Sequence, residues 1–460
     1  MKIARRTFIR TAATAGLAGL LDSSFTGVLA AEPGNLAASL FESPDPAVLK
    51  LVEEVYQKCI LGKIFPAEPP LRHNWIGPGG GYRGQWIWDT MFVVDLLSLL
   101  PGKQEIIRGV FQNYWDFQMR WNKEMPAYAH DMVPCMIEPG KKDWLKYPAY
   151  SQIAILAWGV ERVYQRNRDQ ELVRQCLQPL ERFHEWYWRE RDVTGCGLVA
   201  VGAYSGDIQH ARFETFDFEC NMDGLKLTPH PTRKGDQEGA WYGDLCVPGN
   251  TAYLILGEQC LMRLALIMGD KEMAARRKAR IDKAVEAMRQ HMWDEQAGLF
   301  LTVNRDTMDK VPGGTIGSWI PLTAGVPTPA MAKRMADTLQ TSGWHTPLPV
   351  PTVDRNDKRW NSGSFWRGDV WPATNYQIAS GLAAYGHQQL AADIADKTVA
   401  NAIKNGISER YDSVSGQKLG VEYLGMTCTV ITMMIDGLCR KHQLRINSGS
   451  PTNSSSAPIR

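Results

Sequence analysis

The chain of 460 residues is 44% hydrophobic, 10% aromatic and 22% charged, a globular composition that excludes disorder and fibrous repeats. Its 51 basic and 49 acidic residues leave a formal charge of +2, without the electrostatic footprint of a nucleic-acid binder or of a protein gripping an anionic membrane. The nine cysteines are scattered, lack C-x-x-C spacing and have mostly apolar neighbours, so they are expected as buried free thiols.

Residues 1–31 stand apart as a signal peptide. Arg5-Arg6-Thr7-Phe8-Ile9-Arg10 is followed by a short apolar stretch from Thr11 to Leu21 and by small residues suited to cleavage at Val28-Leu29-Ala30-Ala31. The paired arginines followed by Phe8 and Ile9 resemble a twin-arginine export signal, which makes that export machinery an expected partner and the periplasm or the exterior the expected location. No later segment reaches the roughly 18 apolar residues of a membrane span.

From Pro44 onward, apolar residues recur at intervals of three and four. The spacing predicts helices near 46–62, 86–100, 103–121, 148–167, 171–191, 249–269, 272–293, 328–340, 372–386, 388–405 and 424–442, with little strand signal. The expected class is therefore all-α, with helical hairpins stacked side by side or closed into a ring. Four connections are long, 63–85, 195–248, 294–327 and 341–368. If the helices alternate in direction, such loops can gather at one end and build a cleft. Residues 448–460, rich in Ser, Pro and Asn, read as a disordered tail.

Four segments carry candidate chemistry. A glycine-rich run, Pro78-Gly79-Gly80-Gly81-Tyr82-Arg83-Gly84, leads into Gln85-Trp86-Ile87-Trp88-Asp89 and lacks the ending of a phosphate-binding loop. Trp86 and Trp88 could floor a sugar site while Asp89 accepts bonds from two hydroxyls, or Asp89 could simply complement a helix dipole. In Phe365-Trp366-Arg367-Gly368-Asp369-Val370-Trp371-Pro372, aromatics flank Arg367, which suits a sugar hydroxyl or a structural carboxylate, and Asp369 could cap the helix that follows. Trp366 and Trp371 join the candidate sugar-binding residues. Acids occur in loops at Arg212-Phe213-Glu214-Thr215-Phe216-Asp217-Phe218-Glu219 and at Ser408-Glu409-Arg410-Tyr411-Asp412. A carboxyl held against Phe216 and Phe218 loses hydration, stays protonated to higher pH and can act as a general acid.

In order, Gln-x-x-Trp-Asp at 85–89, Met132-Val133-Pro134, Tyr150-Ser151-Gln152, the Asp217 loop, Trp-Arg-Gly-x-Val-Trp-x-x-x-Asn-Tyr at 366–376 and Glu409-x-Tyr-Asp-x-x-x-Gly resemble family 63 of the glycoside hydrolases. The likeness is to small bacterial members similar to mannosylglycerate hydrolases and, more distantly, to trehalases, and it spans a catalytic domain of residues 45–443. It implies an (α/α)6 barrel that hydrolyses α-linked glucosides or mannosides with inversion. Asp217 would be the general acid, Glu409 the general base, and Asp89, Trp88, Gln152, Trp366 and Arg367 would line the subsite of the nonreducing sugar. Inversion needs roughly 6.5–9.5 Å between the two carboxyls, and no cofactor or metal is expected because two carboxyls and a water suffice.

The acid loop departs from the family pattern. The usual Glu-Ser-Gly-aromatic-Asp and trailing Asn-Ser-Pro are replaced by Glu214-Thr215-Phe216-Asp217 and Phe218-Glu219-Cys220-Asn221, so Glu214 and Glu219 are alternative acids. Trp-Arg-Gly-Asp replaces Trp-Arg-Gly-Pro, and Glu422 in Gly420-Val421-Glu422-Tyr423 is an alternative base. Two other classes use the same fold: a sugar epimerase, which would depend on histidines such as His130, and a sugar-binding protein whose altered acid loop no longer catalyses.

Overall fold

The computed structural model describes residues 36–124, 127–140, 151–203, 225–229 and 241–447. Among the described residues, after a short helix at Leu36–Leu40, twelve helices alternate between an outer and an inner layer. The outer set is α1 (Pro46–Val55), α3 (Gln104–Glu124), α5 (Gln170–Arg191), α7 (Lys271–Ala287), α9 (Pro329–Thr341) and α11 (Gln388–Asn405). The inner set is α2 (Ile87–Leu97), α4 (Leu156–Asn167), α6 (Pro248–Ile267), the single turn α8 (Ile320–Thr323), α10 (Pro372–Ala384) and α12 (Thr429–Ile435). Each inner helix packs on the next, and α12 with its leading turn Gly425–Cys428 returns to α2, closing an (α/α)6 barrel.

The two layers differ in sequence because they differ in surroundings. Outer helices carry one apolar stripe; inner helices are covered on more sides, and all eleven residues of α2 are buried. Each fully buried Val, Leu or Ile contributes about 1.5–3 kcal/mol. Capping differs as well. Asp45, Asp169, Asp270 and Thr328 cap α1, α5, α7 and α9 through their side chains. By contrast α2, α4, α6 and α10 begin without a side-chain cap of their own, and α6 and α10 begin on Pro248 and Pro372.

The inner helices run parallel. At their N-terminal end, the Trp88 N–H donates to Gln152 Oε1 ahead of α4, and the Trp88 indole reaches Met426 ahead of α12. At their C-terminal end, Asp95 of α2, Arg162 and Arg166 of α4 and Asp436 at the end of α12 form a buried ion cluster, with Tyr376 of α10 donating to Asp436 at 2.9 Å.

The long loops do meet at one end, and the connections between them are β-structure. β1 (Gln85–Trp86) pairs with β2 (Met136–Ile137). β3 (Ala200–Ala203), β4 (Leu227–Pro229) and β6 (Val303–Asn304) all pair with β5 (Trp241–Cys246), which joins the loops 195–248 and 294–327. An isolated bridge Thr315–Val353 ties in the loop 341–368, and a second, Val370–Tyr411, ties that loop to the hairpin of β7 (Ser408–Tyr411) and β8 (Lys418–Glu422). Gly425 N–H to Pro78 O, at 2.9 Å, closes the collar on the glycine-rich loop. These strands are short and irregular, so no alternating run announced them.

Among the departures from the periodicity are two helix boundaries and one turn. Residues 151–155 are not helical, because Gln152 is spent on side contacts: its side chain takes the Trp88 N–H and its carbonyl takes the Tyr187 hydroxyl. The last helix stops at Ile435, where Asp436 turns to the ion cluster and Gly437 takes φ +73°. The turn α8 lay inside a predicted loop, since four residues give no period. Eight cysteines fall within the described residues; all are free thiols and seven are buried. Among the described residues no helix is long and apolar enough to cross a membrane.

Candidate active site

The collar sits over the N-termini of the inner helices, where unpaired N–H groups and dipole ends face it. Asp89 occupies the first turn of α2 and is 8% exposed. Its Oδ1 has no hydrogen-bond partner among the described residues. Burial, followed by the charge of Glu409, pushes its carboxyl up to about 7. A buried carboxylate oxygen without a donor is a site for a hydroxyl group from outside the chain.

Glu409 reaches the same neighbourhood from β7 and is buried. Its Oε1 accepts from the Tyr82 hydroxyl and its Oε2 from the Val421 N–H, each at 3.0 Å. Burial holds its carboxyl above the ordinary range, while Val421, Tyr82 and Arg410 pull the other way. Behind it Arg410 makes an ion pair with Asp369, whose Oδ1 also accepts from the Gly363 N–H at 2.8 Å. Burial raises the Asp369 carboxyl and Arg410 opposes that rise. Asp369 is therefore a buried ion-pair partner, and the residue at the cap of α10 is Trp371.

The aromatic candidates lie around the same collar. Trp366 and Trp371 are stacked at 4.3 Å and 9°, with Phe365 edge-on to both. Arg410 lies 5.1 Å over the Phe365 ring. Arg367 is half-buried, and its backbone is held by Ser364 and Asn361. Trp86 is half-buried, with its indole on Arg83 O and its ring edge-on to Tyr82 at 6.3 Å. Trp88 packs edge-on to Phe92 and Tyr253 in the barrel wall. Gln152 acts on the chain itself, ordering the start of α2 through Trp88.

Asp217, Glu214 and Glu219 lie outside the described residues. Glu422 is exposed on β8 and pairs with Lys418. Of the histidines, His184 is buried against Glu258 in the barrel wall and His345 pairs with Asp393 on the outer layer. Tyr82, Gly420 and Val421, which surround Glu409, were not singled out by the sequence. The signal for two of them was the glycine in a hairpin, Gly420.

A ring of six helical hairpins with buried carboxyls under a loop collar is the architecture of a six-hairpin glycoside hydrolase. The profile of the Mannosylglycerate hydrolase MGH1-like glycoside hydrolase domain matches residues 82–427, and the chain belongs to that family. It is 30% identical over 400 residues to a mannosylglycerate hydrolase of Thermus thermophilus, covering 75% of this chain and 92% of that one. The fold matches the crystal structure of a family 63 mannosylglycerate hydrolase from Thermus thermophilus in complex with glucose, with TM-score 0.64 and 20% identity over 84% of this chain and 99% of that chain. A periplasmic trehalase of Escherichia coli is 25% identical over 433 residues, 81% of this chain and 70% of the other.

Proposed function

We propose that this glycoside hydrolase cleaves α-linked mannosides or glucosides with inversion. Glu409 is the general base that draws a proton from the attacking water, and Asp217 is the general acid that protonates the leaving oxygen. The observation that carries the reading is Glu409 itself. It is a buried carboxyl with one donor on each oxygen, and its charge acts on Asp89, whose Oδ1 has no partner among the described residues. Asp89 then accepts hydroxyls of the nonreducing sugar, and Trp86, Trp88, Gln152, Trp366, Arg367 and Trp371 shape its subsite. The role of Asp217 rests on the order of motifs along the chain.

The substrate class follows from relatives named for mannosylglycerate and for trehalose, both of which are α-glycosides. Mannose and glucose differ at one hydroxyl, a difference that a few polar contacts can read. The segment 1–31, with its paired arginines, supports export, and a periplasmic trehalase among the relatives agrees with it.

Turnover by Glu409→Gln and Asp217→Asn tests the assignment on a panel of α-mannosides, α-glucosides and trehalose. Each substitution is expected to lower kcat by about 10²–10⁴-fold while leaving sugar binding measurable by calorimetry. An active Glu409→Gln variant would remove the base from the account.

A further inference from the structure

Glu409 stands opposite an irregularity in its hairpin. The register pairs Ser408 with Glu422 but Arg410 with Leu419, so one residue of β7 faces two of β8, Gly420 and Val421. This is a β-bulge, and Gly420 supplies the positive φ, +75°, that such a bulge needs. A Cβ at Gly420 would lie 2.0 Å from Glu409 Oε2, inside the carboxylate. The missing side chain therefore makes room for the acid, and the next peptide, Val421 N–H, holds it at 3.0 Å. On the opposite side the glycine-rich loop delivers Tyr82 to Oε1. Val421 also fixes that loop, because its methyls lie against Gly80, where a Cβ would come within 2.5 Å.

We propose that the Gly420 bulge and Tyr82 form a two-sided clamp that positions the Glu409 carboxylate, which makes Gly420 and Tyr82 positioning residues for the base. The clamp rests on the reading of Glu409 as base and goes further by naming what aims it. One donor on each oxygen fixes the plane of the carboxylate and leaves each oxygen a lone pair for a water proton. The two donors also favour the charged form against the cost of burial. Among the described residues, the titratable and charged groups around Glu409 are Tyr82, Asp89, Arg410 and Asp369; of these Arg410 favours its charge and the two carboxyls oppose it.

The test is carbon NMR of the full chain labelled at glutamate carboxyls, with the Glu409 resonance assigned by its loss in Glu409→Gln. Tyr82→Phe, which keeps the ring, and Gly420→Ala are each expected to move the Glu409 midpoint to higher pH. Hydrolysis of α-mannosyl and α-glucosyl fluoride, whose leaving group needs no acid, should show kcat down about 100-fold in Gly420→Ala with KM little changed. The acidic limb of kcat should move upward with the midpoint in Tyr82→Phe. An unmoved midpoint in Tyr82→Phe would overturn the clamp while Glu409→Gln stays inactive. Fluoride hydrolysis surviving in Glu409→Gln would overturn the base assignment and the clamp with it.

Discussion

Asp89 and Glu409, brought together from the start of α2 and from the last hairpin, share one buried neighbourhood, and the charge of Glu409 adds to burial in pushing Asp89 up to about 7. Two consequences can be measured. In Glu409→Gln the like charge is gone, so the Asp89 midpoint should fall; burial still keeps it above the ordinary 3.8. Carbon NMR of labelled aspartate carboxyls reads this directly, and an unchanged midpoint would mean that the two groups do not interact.

Sugar binding should be linked to the Asp89 proton. Ionised Asp89 accepts hydroxyls, so binding of mannose or glucose below about pH 7 should release a proton. Affinity should rise as pH is raised from 5 to 7 and then level off. Asp89→Asn should bind weakly and without that dependence. Calorimetry in two buffers of different ionisation enthalpy counts the proton, and binding without proton release would contradict this role for Asp89.

Arg410 neutralises a carboxyl buried beneath the site. Arg410→Met leaves Asp369 without its charged partner and should cost roughly 3–5 kcal/mol. Burial already raises Asp369 and Arg410 holds that rise down, so in the variant it should climb further. The deficit is then largest at neutral pH and shrinks as acid protonates Asp369. Adding Asp369→Asn should recover much of the loss. Urea unfolding at pH 5 and pH 8 tests both statements.

The opposite end of the barrel carries the opposite linkage. Burial alone would raise Asp436, but Arg162 and Arg166 overcome it and bring the carboxyl down to about 2. A depressed folded value means stability that is fully present above the unfolded value, about 4, and lost as pH falls toward 2. Asp436→Asn should therefore lower Tm clearly at pH 6, at a cost of roughly 3–5 kcal/mol. The gap between variant and parent should close on acidification toward pH 2. A gap independent of pH would show that the ion cluster does not account for the loss.

The helical layers were legible because burial on one side writes a period of 3.6 into α3, α5 and α7, and because Pro248 and Pro372 mark where α6 and α10 begin. The turn α8 was not, since four residues hold less than one full repeat of that period beyond a turn. The candidate site was half legible. Asp89, Trp366, Arg367 and Glu409 stand in motifs dense with aromatics and glycines. Which groups they pair with was not legible: Tyr82 shares the motif of Asp89 yet reaches Glu409 across 327 residues of sequence, and the two-against-one register at Gly420 exists only once the hairpin has formed. Trp88 packs edge-on against Phe92 and Tyr253, neighbours on other turns and helices that its own motif does not name.

The central claim is a single displacement by a water that Glu409 activates. Proton NMR of the first turnovers on an α-linked mannoside, glucoside or trehalose reports the anomer as it leaves the enzyme. The account predicts the β-anomer first, with the α-anomer appearing only by mutarotation, and no product from Glu409→Gln. First release of the α-anomer would contradict it.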